Sequence, residues 1–457
     1  MQQNDVATIH ADLKIHIVNM TSIETLAATI STEVTKLSNL LLELGSPAPT
    51  LEEAGFGDFA HESDTPTGVA LRETRSAILV AAQDLLQLVR GPTEHILCLA
   101  WSAADTANVD LITRLRIPQN VPLGSSISIE ELSKVVRLPE DLVARIVRYA
   151  IGNGIFVENK PGYIGHSASS AALVQNPHLS NIVHFGTEFL GNILLKVPEA
   201  VVSKRDNPDH APDAAFNIAY RTDESLFSLF QKNTDLNTKY HEYLAGRVNT
   251  PLWSVDRLRA AFPWSSKGDV TVIDVGGSSG HTVQYLASLM PTAKFVVQDS
   301  NKSALDMGRR AVEMSASDPS LRSRISFEEY DFFTPQPIEA DIYIYRHILH
   351  DWNDADSVKI LSSLLPALKP GARVLISEGI VPAPPAKRLN TLATKMIRIE
   401  DMFMLAAHNA HERSVVDFVS LFDKVSPAAF KLVGVTSGTE AGAFQSLLEF
   451  EYLGLPN

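Results

Sequence analysis

His350 is the residue on which the most chemistry can turn. It lies in the run Tyr345-Arg346-His347-Ile348-Leu349-His350-Asp351-Trp352, directly after a β-branched stretch, ADIYIYR at 340–346. Such a stretch reads as a strand, and open α/β sheets bind their ligands at the C-terminal edge of their strands. An imidazole there, with an ordinary pKa near neutrality, suits removal of a proton from a hydroxyl. Glu378 closes a second such stretch, and Glu412 follows the next helical one, so both can reach the ring and hold its tautomer and orientation. The bland interpretation is a histidine that caps a helix beside a buried Trp352.

A second constellation is the loop Asp274-Val-Gly276-Gly277-Ser278-Ser-Gly280. Glycines between a strand and a helix let the backbone pass close to a ligand, and the helix start offers free amides. A dinucleotide fingerprint needs glycine where Ser278 stands, which disfavours pyrophosphate. Asp299 ends the next strand, at the distance where a carboxylate commonly receives both ribose hydroxyls. Asp331 and Phe332 end the third, where an adenine ring could stack and hydrogen-bond. An acid at a strand end is often only a cap; three acids in order on consecutive strand ends are a stronger signal.

The elements that must position these residues follow from the hydrophobic pattern. From Asp269 onward, runs at 270–275, 294–299, 324–331, 340–346, 372–380, 430–437 and 446–453 alternate with helical stretches. That alternation predicts an α/β fold with a seven-stranded, doubly wound sheet. The Gly-rich connection 438–443 is too short for a crossover helix, so the last strand is expected to run antiparallel as a hairpin. Upstream, apolar residues at helical spacing predict helices over 22–44 and 69–89, with a linker at 45–67. Their apolar faces suit a partner chain as well as their own. Residues 127–165 read as helix, turn, longer helix and two strands around a Pro-Gly turn, the order of a winged helix-turn-helix. Between Ser125 and Ser170 five basic residues face five acidic ones, not the basic field that DNA reading needs.

Over all 457 residues, 45% are hydrophobic and 20% charged, which excludes global disorder. The net charge of −14 disfavours nucleic acid and anionic membranes as partners. A lone cysteine, Cys98, makes neither an intramolecular disulfide nor a thiolate metal cluster, and neither a signal peptide nor a long apolar span is evident. A cytoplasmic protein is the default expectation.

Asp274-Val-Gly-Gly, Asp299, Asp331-Phe-Phe, Tyr345 to Trp352, Ser377-Glu378-Gly-Ile-Val-Pro and Asn409-Ala-His-Glu412-Arg413-Ser together resemble the caffeic-acid-type small-molecule O-methyltransferases. The fungal relatives acting on polyketides and other secondary metabolites are the nearer likeness. The resemblance implies S-adenosyl-L-methionine as cofactor and an aromatic or polyketide substrate; no cluster of acids with His or Asn stands at ligand spacing near these motifs, so no metal is expected. It implies His350 as base, with Glu378 and Glu412 supporting it. Cofactor contacts would come from Asp274, Gly276, Gly277, Gly280, Asp299, Asp331, Phe332 and Arg346, the last at the position of a family lysine. Asp351 either meets a substrate hydroxyl or caps the helix starting near 354. Met402, Phe403 and Met404 either line the substrate pocket or are plain core. The implied organisation is a helical extension (1–92), a winged-helix dimerisation domain (93–205) that lends residues to a homodimer partner's pocket, and a catalytic domain (206–457). Two other functions stay open: a pericyclase that keeps S-adenosylmethionine bound, and a cofactor-sensing DNA regulator, against which the balanced charge and the intact base argue.

Overall fold

The computed structural model describes residues 22–53, 65–206, 213–248, 250, 253, 255, 257–314, 320–382, 392–436 and 444–455. The connection 438–443 and residues 54–64 of the expected linker lie outside them. The chain forms two compact units.

The first unit holds residues 22–48 and 65–102. Ser22 caps the helix Ile23–Glu43 by accepting from the Thr25 amide, and Thr65 caps the helix Pro66–Trp101 with proline at its start. Thr67 donates to Glu43 Oε1 at 3.0 Å, so the second helix begins beside the end of the first. The pattern predicts a stop near residue 89, and Gly91 does break the spiral with φ 74°. The chain nevertheless resumes helically to Trp101, because Pro92 is well suited to a first helical turn.

The second unit holds the remaining described residues. Strands β1 (Ser126–Ser128), β2 (Val157–Lys160) and β3 (Tyr163–Gly165) form a small sheet in the order β1-β3-β2. The helices Ile129–Val136 and Glu140–Gly152 precede its hairpin, in the expected sequence. A capping box, Ser128 with Glu131, starts the first of them.

The main sheet has seven strands: β4 (Thr271–Val275), β5 (Lys294–Asp299), β6 (Ile325–Glu329), β7 (Ile342–Arg346), β8 (Arg373–Gly379), β9 (Phe430–Thr436) and β10 (Gln445–Tyr452). Their spatial order is β6-β5-β4-β7-β8-β10-β9. β10 runs antiparallel to both β8 and β9, as the short connection predicts. The central strands are buried on both faces: Ile273, Val275 and Tyr343 belong to one core, Val272, Phe295 and Ile344 to the other. The chain steps outward from β4 to β6, then returns to β7 on the other side of β4. That reversal opens a crevice at the C-terminal ends of β4 and β7. A third cluster, including Phe185, Phe189, Phe216, Phe230, Tyr243 and Ala407, joins the helices Thr234–Val248 and Leu392–His408 above that edge. Among the described residues, no helix is long and apolar enough to cross a membrane.

Candidate active site

The strand edge and this helical cluster enclose a cavity of about 390 Å³. Asp274, Gly276, Gly277, Asp299, Asp331, Phe332, Arg346, His350, Asp351, Phe403 and Met404 all line it. Gly280, Glu378, Glu412 and Met402 do not.

The glycine loop is shaped mainly by the protein's own packing. A Cβ on Gly276, at φ +74°, would lie 2.4 Å from Ile348 Cδ1, and one on Gly277 would lie 2.6 Å from Asp274 Oδ2. Gly280, also at φ +74°, is the residue before the helix His281–Leu289 and acts by aiming that helix, rather than by lining the cavity. Ser278 takes a left-handed φ of 53°, and its amide donates to Asp299 Oδ2 at 2.9 Å. Asp299 Oδ1 accepts from the Asn301 amide at 2.7 Å. Each carboxylate oxygen keeps a lone pair for a ligand, and burial pushes the Asp299 pKa up.

Asp274, the last but one residue of β4, is buried. Its Oδ2 is buried without a hydrogen-bond partner among the described residues. Burial pushes its carboxyl up to about 7, against the pull of Arg346 and with a push from Asp299. Arg346, ending β7, reaches the Trp253 carbonyl, Gln445 and His281, while burial lowers its pKa to about 10 against the attraction of Asp274.

His350 sits in a 3₁₀ turn after β7, 5% exposed. Its Nδ1 lies 2.7 Å from Glu412 Oε1 and its Nε2 3.6 Å from Asp351 Oδ1. Burial opposes charge on both His350 and Glu412. For the pair, the direction is upward at His350, because the carboxylates of Glu412, Asp351 and Glu378 all favour a proton on the ring. This corrects the expectation of an imidazole near its ordinary pKa. Glu378 departs from expectation too. Its Oε1 accepts from the amides of Ile348 (3.1 Å) and Leu349 (2.7 Å), so it grips the turn that carries the ring and does not bond the ring itself. Arg413, fully buried, donates to the carbonyls of Leu349 and Trp352 and locks the same turn from behind.

Asp351 caps no helix; Asn353 does that for Asp354–Ser362. On the helix Leu392–His408, Phe403 and Met404 face the cavity, whereas Met402 is 44% exposed and is not a lining residue. One residue along a helix turns the side chain by roughly 100°, enough to separate them.

Several site residues carry no strong signal in the sequence. His241 and Arg247 come from the helix Thr234–Val248, and Arg247 pairs with Glu400 at 3.2 Å beneath the Trp253 ring. His347 takes a left-handed φ of 55°, bonds Gln445 through Nε2, and leaves a buried Nδ1 without a partner among the described residues. His408 closes the helical wall. A place inside the run Tyr345 to Trp352 is the clue the sequence offers for His347; the others look like ordinary helix residues.

The O-methyltransferase domain family matches residues 199–428. The chlorophenol O-methyltransferase of Trichoderma longibrachiatum is 34% identical, covering 90% of this chain and 86% of that protein. The O-methyltransferase VdtC of Byssochlamys spectabilis is 31% identical over 89% of this chain and 93% of its own length. A solved structure described as a pericyclic reaction enzyme superposes with a TM-score of 0.71 at 19% identity, covering 93% of this chain and all of that one; it shares the fold. On the family match and the 31–34% identity to those two enzymes over most of both chains, the protein belongs to the O-methyltransferase family.

Proposed function

We propose that the protein moves a methyl group from S-adenosyl-L-methionine to a hydroxyl of an aromatic or polyketide secondary metabolite, with His350 as general base. The observation that carries this reading is the buried His350–Glu412 pair at 2.7 Å, opening onto the same cavity as the glycine loop. A phenolic acceptor also agrees with the printed name of the Trichoderma relative.

The cofactor fits the residues present, and a solved structure of the same fold holds S-adenosylmethionine. When bound, it supplies an activated methyl carbon on a sulfonium. Asp299 is free to accept ribose hydroxyls on its remaining lone pairs, Phe332 offers an adenine a face, and Asp331 an acceptor beside it. The unpartnered Asp274 Oδ2 and the Arg346 guanidinium bracket the place for an amino acid moiety. The aromatic wall of Phe227, Phe230, Tyr240 and Trp352 excludes water and suits a flat acceptor. His350 takes the acceptor's proton on Nε2, and Glu412 stabilises the imidazolium through Nδ1. Glu412, Asp351 and Glu378 favour a proton on His350 against the effect of burial, and a cationic cofactor in the same cavity would lower that preference.

The same reading places the protein in the cytoplasm as a homodimer, with residues 1–92 as extension, 93–205 as winged-helix dimerisation domain and 206–457 as catalytic domain. Methyl-labelled cofactor with a panel of phenolic polyketides tests the activity. Labelled product and S-adenosylhomocysteine are expected, and His350→Ala should lower turnover by ~10²- to 10⁴-fold with cofactor affinity kept. Substrate consumed in a cofactor-dependent way without any gain of a methyl group would reject the reading in favour of a pericyclic reaction.

A further inference from the structure

We infer that the apolar body of the acceptor stops against Leu190, and that a π-turn over Gly186–Gly191 delivers this side chain to the cavity and so sets the longest acceptor accepted. The inference rests on the methyl-transfer reading and adds to it the residue that limits acceptor size. Between the helices His178–Phe185 and Asn192–Leu194 the chain continues helically, but Gly186–Gly191 wind as a π-turn. In an α-helix Leu190 would point about 140° away from Phe185. The wider turn, bonded i→i+5, brings it round to the same face, and Phe185, Phe189 and Leu190 all line the cavity.

A single π-turn inside a helical run is rare and is frequent at functional sites. Here it is held from both sides. Glycine at each end weakens the regular spiral. On the outside, Glu188 reaches Arg114 at 3.2 Å and Lys239 at 3.0 Å, on the helices Ala103–Arg114 and Thr234–Val248. Thr187 Oγ1 donates to the Val183 carbonyl at 2.8 Å, a back-bond of the kind that bends helices. On the inside, Phe189 is wedged among the rings of Phe185, Phe216, Tyr220 and Phe230, so the core fixes its place. Leu190, beside it, reaches the cavity only because of the turn. The residues assigned to the cofactor stand on the strand edge and the reacting hydroxyl is held there by His350. This wall is helical and apolar, so the part of a ligand that meets it is the acceptor's carbon skeleton.

The test follows kcat/KM for 3- and 4-n-alkylphenols of rising chain length, with full-length protein and labelled cofactor. In the wild type it should rise while the chain buries apolar surface and fall once the chain meets Leu190. Leu190→Ala should move that fall to longer chains and raise kcat/KM about tenfold at the first length the wild type rejects, the scale of one methylene in an apolar pocket. Leu190→Phe should move the fall to shorter chains. Ile193→Ala empties a fully buried position on the same helical run, outside the cavity lining, and should lower the melting temperature without moving the limit. A limit unmoved in Leu190→Ala, or moved equally in Ile193→Ala, overturns the inference. If the wild type methylates none of these phenols, the methyl-transfer reading fails for this acceptor class on its own account. Calorimetry of the same series with S-adenosylhomocysteine present then reads the length limit on binding, and the same limit in wild type and Leu190→Ala, or binding by neither, rejects the role of Leu190.

Discussion

At the scale of single residues, Asp274 shows how this site trades stability for binding. A buried carboxylate oxygen without a partner costs free energy unless it stays protonated, and burial raises the Asp274 pKa to about 7. The folded chain then binds more protons at this position than the unfolded one between the ordinary Asp range and about pH 7. Through that window stability falls as pH rises. Asp274→Asn removes the charge, so it should be more stable than wild type at pH 8 by on the order of a few kcal/mol and melt correspondingly higher, with the gap closing towards pH 4. The same variant should bind S-adenosylmethionine more weakly. Thermal melts at both pH values and calorimetry check the two halves; a variant less stable than wild type at pH 8 would show that the unpartnered oxygen carries no cost.

At the scale of elements, the decisive feature is a turn held from three sides. Glu378 on β8 takes two amides of the turn, Arg413 takes two of its carbonyls, and Glu412 takes the ring. The two glutamates should therefore fail differently. Glu378→Ala leaves two buried amides unpaired at about 1 to 3 kcal/mol each, so melting temperature and turnover should drop together, while Glu378→Gln, which keeps an acceptor, should retain most of both. Glu412→Gln should fold normally and lose turnover, with the acid limb of kcat/KM moving to lower pH because the ring loses the carboxylate that favours its proton. Equal melting losses in Glu378→Ala and Glu412→Gln would contradict this division. Half of this architecture is legible in the sequence. β-branched runs bounded by polar residues place the strands of the main sheet to within a few residues, and chemistry-bearing residues directly after them fall on one edge. The other half comes from helices, where periodicity looks the same whether a face fills a core or lines a cavity. Phe403 and Met404 are separated from Met402 only by rotation about the helix axis, and the roles of His241, Arg247 and His408 depend on which strand edge their helices cover. The grip of Glu378 on backbone amides is likewise invisible in sequence, because it depends on where a turn folds back.

At the scale of the whole molecule, the helix Pro66–Trp101 carries an uncovered apolar surface. Val89, Ile96, Leu97, Leu99 and Trp101 are all exposed, Trp101 at 68%. Single exposed hydrophobes are ordinary, but a run of them on one helix end marks an interaction surface. A second copy of the chain is the proposed occupant, so light scattering should give twice the 49.9 kDa of one chain. Each copy carries a net charge of −14, and the two repel. Salt screens that repulsion and leaves apolar burial intact, so the dimer should tighten as ionic strength rises, opposite to an interface built on ion pairs. Ile96→Asp combined with Trp101→Asp places two further negative charges on the surface and should yield a monomer whose catalytic unit still melts cooperatively. A wild type that remains monomeric at micromolar concentration in high salt would leave this surface to another partner and would remove the homodimer from the reading of this protein.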